Sequence, residues 1–217
     1  MAGRGRGRFI TVEGLEGAGK TTCLATIEAV LRAAGEPEPL FTREPGGTPF
    51  GEALRGVLLD PQYQGMTAEA EALTVFAARA EHLARVVRPT LEAGRWVVSD
   101  RFTDATYAYQ GGGRGLGDAR VAELEAWVHA GFSPDRTLLL DVEPGVGRAR
   151  IAARDADADR FERERDAFFR AARAAYHRRA AAEPERFRIV DANRPEADVA
   201  AQVRAKIEAL LGARSET

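Results

Sequence analysis

Residues 14–21 read Gly-Leu-Glu-Gly-Ala-Gly-Lys-Thr, the pattern Gly-x4-Gly-Lys-Thr, and no other stretch constrains the fold of this chain as tightly. Glycines at these spacings let successive backbone N–H groups turn inward around phosphate oxygens, and a helix opening there adds about half a positive charge. The pattern has meaning only between a strand and a helix, and both are legible. Residues 9–13, Phe-Ile-Thr-Val-Glu, are rich in β-branched and apolar side chains and predict a strand. Residues 20–34 predict a helix, with Leu24, Ile27 and Leu31 on one face and Gly35 as its stop. Gly14, Leu15, Glu16, Gly17, Ala18, Gly19, Lys20, Thr21 and Thr22 are therefore the expected ATP-binding residues. Lys20 is expected to reach the β- and γ-phosphates, and the Thr21 hydroxyl to ligate Mg²⁺.

Short apolar runs alternate with longer helical patterns through the rest of the chain. Further strands are expected at residues 39–43, 96–99, 136–142 and 187–191. Helices are expected at 50–59, at 67–93 with a bend or break near Pro89, and at 121–130, 145–154, 161–182 and 196–211. Five strands alternating with helices predict the α/β, three-layer P-loop NTPase fold: a five-stranded parallel sheet covered by helices on both faces. In such a sheet the ligands gather at the C-terminal ends of the strands. A length of 217 residues suits one P-loop domain over residues 9–217, with the Gly/Arg-rich residues 1–8 as a flexible tail.

Composition narrows the chemistry. The 31 Lys plus Arg nearly balance 33 Asp plus Glu, which argues against a nucleic-acid-coating protein. One cysteine, Cys23, forms no internal disulfide and reads as a buried small residue. No apolar run approaches the roughly 20 residues that cross a bilayer, and residues 1–8 do not resemble a secretory signal, so a cytoplasmic protein is expected. Only Lys20 and Lys206 are lysines among the 31 cations. Neither lies in the Asn-Lys-x-Asp reader of a GTPase, and the chain is short for a motor ATPase, which leaves a small kinase. If the acceptor is itself a phosphate, unit charges 4 Å apart repel by about 4 kcal/mol at an effective dielectric of 20, so converging arginines are required. Arg43 and Arg101 stand at strand C-termini, and Arg148, Arg150, Arg154 and Arg160 flank a polar stretch at 155–159. Asp100 and Asp141 each follow an apolar strand. Asp100, beside Arg101, is the preferred Mg²⁺ partner, and Asp141 is the alternative that would instead shape the sheet edge.

Four motifs, in order, resemble the bacterial thymidylate kinase family of P-loop nucleoside-monophosphate kinases. They are residues 13–22 (Glu-Gly-Leu-Glu-Gly-Ala-Gly-Lys-Thr-Thr) and 41–48 (Phe-Thr-Arg-Glu-Pro-Gly-Gly-Thr), then Asp100-Arg101-Phe102 with Ala108-Tyr109-Gln110-Gly111, then Asp159-Arg160-Phe161-Glu162. The resemblance spans residues 9–211. It implies ATP- and Mg²⁺-dependent conversion of dTMP to dTDP for dTTP synthesis, usually by a homodimer. It implies that Glu16 lies near the acceptor sugar and metal and that Arg43 and Arg101 bind phosphate. Arg79 would read the thymine edge, and Tyr109 and Gln110 would line the sugar and base pocket. Gly17 stands where one variant of the family has a P-loop arginine. The resemblance is thus to the other variant, whose catalytic arginines come from a lid, here about residues 148–162, with Arg154 and Arg160 as the leading candidates.

Two positions depart from the family pattern. Val75 stands where an aromatic stacks on the base, with Phe76 next to it, and Ala105 stands where a small polar residue is usual. Both Phe76 and Ala105 are expected near the acceptor base. The departures motivate a second reading, a related deoxynucleoside-monophosphate kinase with altered acceptor choice. A third, from another class, is a non-catalytic ATP-binding switch, which would bind ATP without acceptor-stimulated ADP release.

Overall fold

The computed structural model describes residues 7–153, 160–162 and 164–212. Five parallel strands form one sheet in the order β2-β3-β1-β4-β5, with β1 (Phe9–Gly14) in the middle. Its neighbours are β3 (Val97–Asp100) and β4 (Arg136–Asp141), and β2 (Leu40–Arg43) and β5 (Phe187–Asp191) close the two edges. Alternate side chains feed different layers, as a sheet covered on both faces requires. Phe9 and Val97 join Leu83, Val87, Leu91 and Phe102 in one apolar cluster, whereas Ile10, Val12 and Val98 join Cys23, Ile27 and Leu31 in another. Burial pushes the Cys23 thiol up to about 12, consistent with an inert packing role.

The helices are α1 (Lys20–Ala33), α2 (Pro49–Leu59), α3 (Ala68–His82), α4 (Arg88–Glu92), α5 (Thr103–Thr106), α6 (Asp118–His129), α7 (Pro144–Ala152), α8 (Asp166–Ala182) and α9 (Glu196–Gly212). Helices α3 and α4 follow one continuous path through a wide π-type turn at Leu83–Val87. That is the expected irregularity, placed a turn before Pro89: proline offers no N–H to the carbonyl one turn back, and a wide turn absorbs the mismatch. A second wide turn, Tyr107–Gly113, continues from α5 through a stretch of three successive glycines to which the sequence pattern assigns no element. The glycines serve approach rather than turning. A Cβ on Gly112 would meet the Ala171 carbonyl at 2.8 Å, and one on Gly113 the Phe168 ring at 2.5 Å. Helix α8 thereby packs directly on this segment and presses Tyr109 into the core.

Register brings the functional segments together. Arg43 pairs with Asp100, Val12 with Asp100, and Gly14 with Leu140, so β2, β3, β1 and β4 end along one edge. Backbone hydrogen bonding reaches back to Gly7, which donates to Leu91 O at 2.9 Å. Residues 1–6 of the expected tail, and residues 154–159 and 163 within and beside the expected lid, lie outside the described residues. No helix among the described residues is long and apolar enough to cross a membrane.

Candidate active site

The glycine-rich turn between β1 and α1 is shaped as its sequence requires. Gly14, Gly17 and Gly19 take φ of 141°, 74° and 89°, conformations that side chains rarely adopt. A Cβ on Gly17 would stand 2.2 Å from the Gly147 carbonyl of α7, so no side chain, arginine included, fits at that point of the turn. Gly19 precedes α1 without any side-chain cap, which leaves the first N–H groups of the helix free for an anion. Lys20 Nζ donates to the carbonyls of Leu15 at 3.1 Å and Gly14 at 3.3 Å. Burial and the neighbouring Arg101 guanidinium lower its pKa.

Beneath the turn, Glu13 is fully buried and accepts from Phe102 N at 2.7 Å and from the Tyr176 hydroxyl at 2.8 Å. Burial, reinforced by Asp104, pushes its pKa up to about 8. A carboxyl raised in this way keeps its proton in the fold after the unfolded chain has lost it. Stability should therefore fall as pH rises from the ordinary carboxylate range to about 8. Glu13→Gln stays neutral throughout, so its melting temperature relative to the parent is expected to climb between about pH 5 and about pH 8 and to level off above that. Thermal melts across that range check this, and a constant difference would contradict it.

From this turn a cavity of about 570 Å³ runs across the sheet edge. One end is lined by Glu16, Gly17, Gly19, Lys20, Thr21, Thr22 and Arg150, and the other by Glu44, Arg55, Val75, Arg79, Ala105, Tyr109 and Gln110. Asp100 and Arg101 lie between them on the wall. Arg101 holds φ at 70°, a left-handed conformation uncommon for a side-chain-bearing residue and a mark of sites that fix a group in place. Its guanidinium donates to Glu16 Oε1 at 2.7 Å and lies 4.6 Å from the Tyr109 ring centre. The Tyr109 hydroxyl donates to the other Glu16 oxygen at 2.6 Å. Asp100 Oδ1 is buried with no hydrogen-bond partner among the described residues. Asp141 instead accepts from Arg173 at 2.7 and 2.9 Å and lies near His177, away from the cavity wall.

At the far end Arg79 is 1% exposed and held from several sides. Its Nε donates to Glu44 Oε2 at 2.7 Å, Nη2 donates to Thr106 at 3.0 Å, and Nη1 is buried without a partner among the described residues. His82 bonds Glu44 Oε1 at 2.8 Å on the other side. Burial alone would raise the Glu44 carboxyl, but Arg79 and His82 hold it below the usual range.

Not every expected residue reaches the cavity. Phe76 turns away from it and lies beneath the Arg79 guanidinium, 4.7 Å from its ring centre, in a cluster with Tyr107 and Val121. Val75, one residue earlier and about 100° around the helix, is the one on the wall. Arg43 is half exposed and pairs with Glu52 at 2.7 Å outside the cavity lining. Arg55, one helical turn along α2 from Glu52, lines the cavity instead. Its signal in the sequence was modest: an arginine on the side of α2 that also carries the buried Leu58. Arg148 pairs with Asp166 at the surface, and Arg150 donates to Ala192 O at 2.8 Å and to Gly17 O at 3.3 Å beside the glycine-rich turn. Arg160 is 1% exposed, bound to Glu71 Oε2 at 2.6 Å and to Leu58 O at 2.7 Å. Arg154 lies outside the described residues.

Fold and site together define a P-loop phosphotransferase whose nucleotide turn faces an arginine-rich acceptor pocket. A family model described as thymidylate kinase matches residues 12–203. A thymidylate kinase of Halorhodospira halophila is 78% identical over 206 residues, covering 95% of this chain and 96% of the relative. Those of Bordetella pertussis, over 206 residues, and Nitrosospira multiformis, over 202 residues, are each 55% identical and each 97% covered. The chain belongs to the thymidylate kinase family.

Proposed function

We propose that this protein transfers the γ-phosphoryl group of ATP to dTMP, forming dTDP and ADP. The observation that carries the reading is one continuous cavity with the glycine-rich turn at one end and the Arg79–Gln110 wall at the other. A phosphate oxygen of dTMP attacks the γ-phosphorus, and the bond to the β–γ bridging oxygen breaks as ADP leaves. No covalent enzyme intermediate is needed; the protein positions and neutralises. Lys20 and the N–H groups opening α1 hold the donor phosphates. Arg101, between the two ends, and Arg55, on the far wall, draw the acceptor phosphate against its own repulsion. Glu16 fixes Arg101 and Tyr109 while presenting a carboxylate near the acceptor sugar. Arg43 at the rim and Arg150 beside the turn are further candidates for binding phosphate, and the family resemblance adds Arg154. Arg160, paired inside the protein with Glu71 and the Leu58 carbonyl, ties its own stretch of chain to α2 and α3.

The residues present fit a magnesium ion: an unpartnered buried Asp100 oxygen and the Thr21 hydroxyl share the wall beside Lys20. These two would hold it, and bound there it supplies charge neutralisation to the β- and γ-phosphates. Phosphorus NMR of ATP and dTMP incubated with the protein tests the reading. Growth of dTDP and ADP signals in equal amounts is expected, and ATP hydrolysis to inorganic phosphate alone would overturn it.

A cytoplasmic homodimer completes the proposal. The family supports the dimer, and so do two large apolar side chains exposed on the adjacent helices α3 and α6, Leu73 and Trp127, the latter 79% exposed. Trp127→Arg is expected to convert a dimer to monomer in sedimentation experiments. An unchanged dimer would place the interface elsewhere. Val75 and Ala105 on the pocket wall favour a second reading, a kinase of broader acceptor choice. Base–aromatic stacking is worth about 1–3 kcal/mol, and no aromatic stands at position 75.

A further inference from the structure

Glu71, at the start of α3, is fully buried outside the cavity, and its carboxylate gathers three donors. Oε1 accepts from Gln110 Nε2 at 2.7 Å, Oε2 accepts from Arg160 Nη2 at 2.6 Å, and Arg114 Nε lies 3.2 Å from both oxygens. Guanidinium groups only donate, so both Glu71 oxygens are committed as acceptors. The amide of Gln110 then has one orientation available: its NH₂ must face Glu71, and its carbonyl oxygen is left for the cavity that Gln110 lines. Across the same wall, Arg79 offers the unpartnered Nη1 donor.

We infer that Glu71 is a positioning residue for acceptor selection: by fixing the Gln110 amide, it sets an acceptor beside the Arg79 donor, a pair that accepts a pyrimidine with a ring N–H next to a carbonyl and rejects one with a bare ring nitrogen next to an amine. Thymine and uracil present the first pattern and cytosine the second. Cytosine would set its bare ring nitrogen against the Gln110 oxygen and its amine against the Arg79 donor. A site built to hydrogen-bond its substrate discriminates strongly because mismatched buried groups are left unpaired. The inference rests on the proposed dTMP kinase reading and deepens it.

The test compares kcat/KM for dTMP and dCMP in the full chain. Glu71→Gln offers the Gln110 amide an acceptor or a donor, so the amide can turn, and the dTMP-to-dCMP ratio is expected to fall about tenfold or more. Gln110→Met removes the oriented carbonyl while leaving both arginines paired with Glu71, and the ratio is expected to fall comparably with the melting temperature nearly kept. Adding Glu71→Gln to Gln110→Met should lower the ratio no further, because Glu71 acts on selection only through Gln110. A packing role alone would reduce both activities in parallel and leave the ratio unmoved. An undiminished ratio in a folded Glu71→Gln protein, or a further fall in the double variant, overturns the inference. If Glu71→Gln does not fold, an undiminished ratio in Gln110→Met overturns it alone. An unmodified protein that phosphorylates neither acceptor would instead refute the kinase reading itself, before any variant is made.

Discussion

Replacing Lys20 with alanine is expected to lower kcat by about 10³ while leaving the protein folded. Among the described residues Lys20 Nζ hydrogen-bonds the carbonyls of Gly14 and Leu15, which are already part of a turn held by its glycines. Burial and Arg101 both disfavour its charge in the fold, so its removal relieves strain rather than creating it. The melting temperature of Lys20→Ala should therefore match or exceed that of the parent. A large loss of rate with undiminished stability separates a group that acts on the transferring phosphoryl from one that supports the turn. Steady-state ADP release and a thermal melt on the same preparation check both halves, and retained activity would contradict the assignment.

Arg101→Ala is expected to cost about 10²–10⁴ in kcat/KM, the range set by losing a preorganised cation between two phosphates. Here stability should fall as well. Glu16 loses its ion-pair partner, the Tyr109 ring loses the guanidinium over it, and an alanine must adopt the φ of 70°. Backbone strain of that kind is worth roughly 1 kcal/mol or more. The loss of rate should exceed what partial unfolding explains, and free guanidinium ion should restore part of it. Kinetics with and without added guanidinium decide the matter: full activity in the variant would remove Arg101 from the reaction.

The sequence made the nucleotide end of the site nearly transparent, because a phosphate cradle is built from backbone and local spacing. Its glycines and Lys20 all lie within residues 14–20, and the turn needs no distant partner to take shape. The strands were equally legible, since a sheet buried on both faces demands continuous apolar runs such as Leu138-Leu139-Leu140. The acceptor end was harder to read because it is assembled across the chain. Val75 and Phe76 differ by one step on a helix, and only packing against Tyr107 and Val121 decides which of them faces the cavity. Arg43 carried a recognisable motif and sits at the rim, whereas Arg55 carried none and lines the wall. Glu44 and Glu71 bear no local mark of importance. Their roles come from donors 35 to 89 residues away in sequence, which meet them only in the fold. The segment at 107–113 was missed for a related reason: its glycines answer to the approach of α8, a contact with no trace in the local pattern.

The central claim is best tested by Mg-ATP-dependent ADP release measured in parallel with dTMP, dUMP, dCMP, dGMP, AMP and no acceptor. The account predicts strong stimulation by dTMP, weaker stimulation by dUMP because uracil presents the same hydrogen-bonding edge, and little by the others. Equal stimulation by dCMP or a purine monophosphate, or ADP release indifferent to any acceptor, would contradict it.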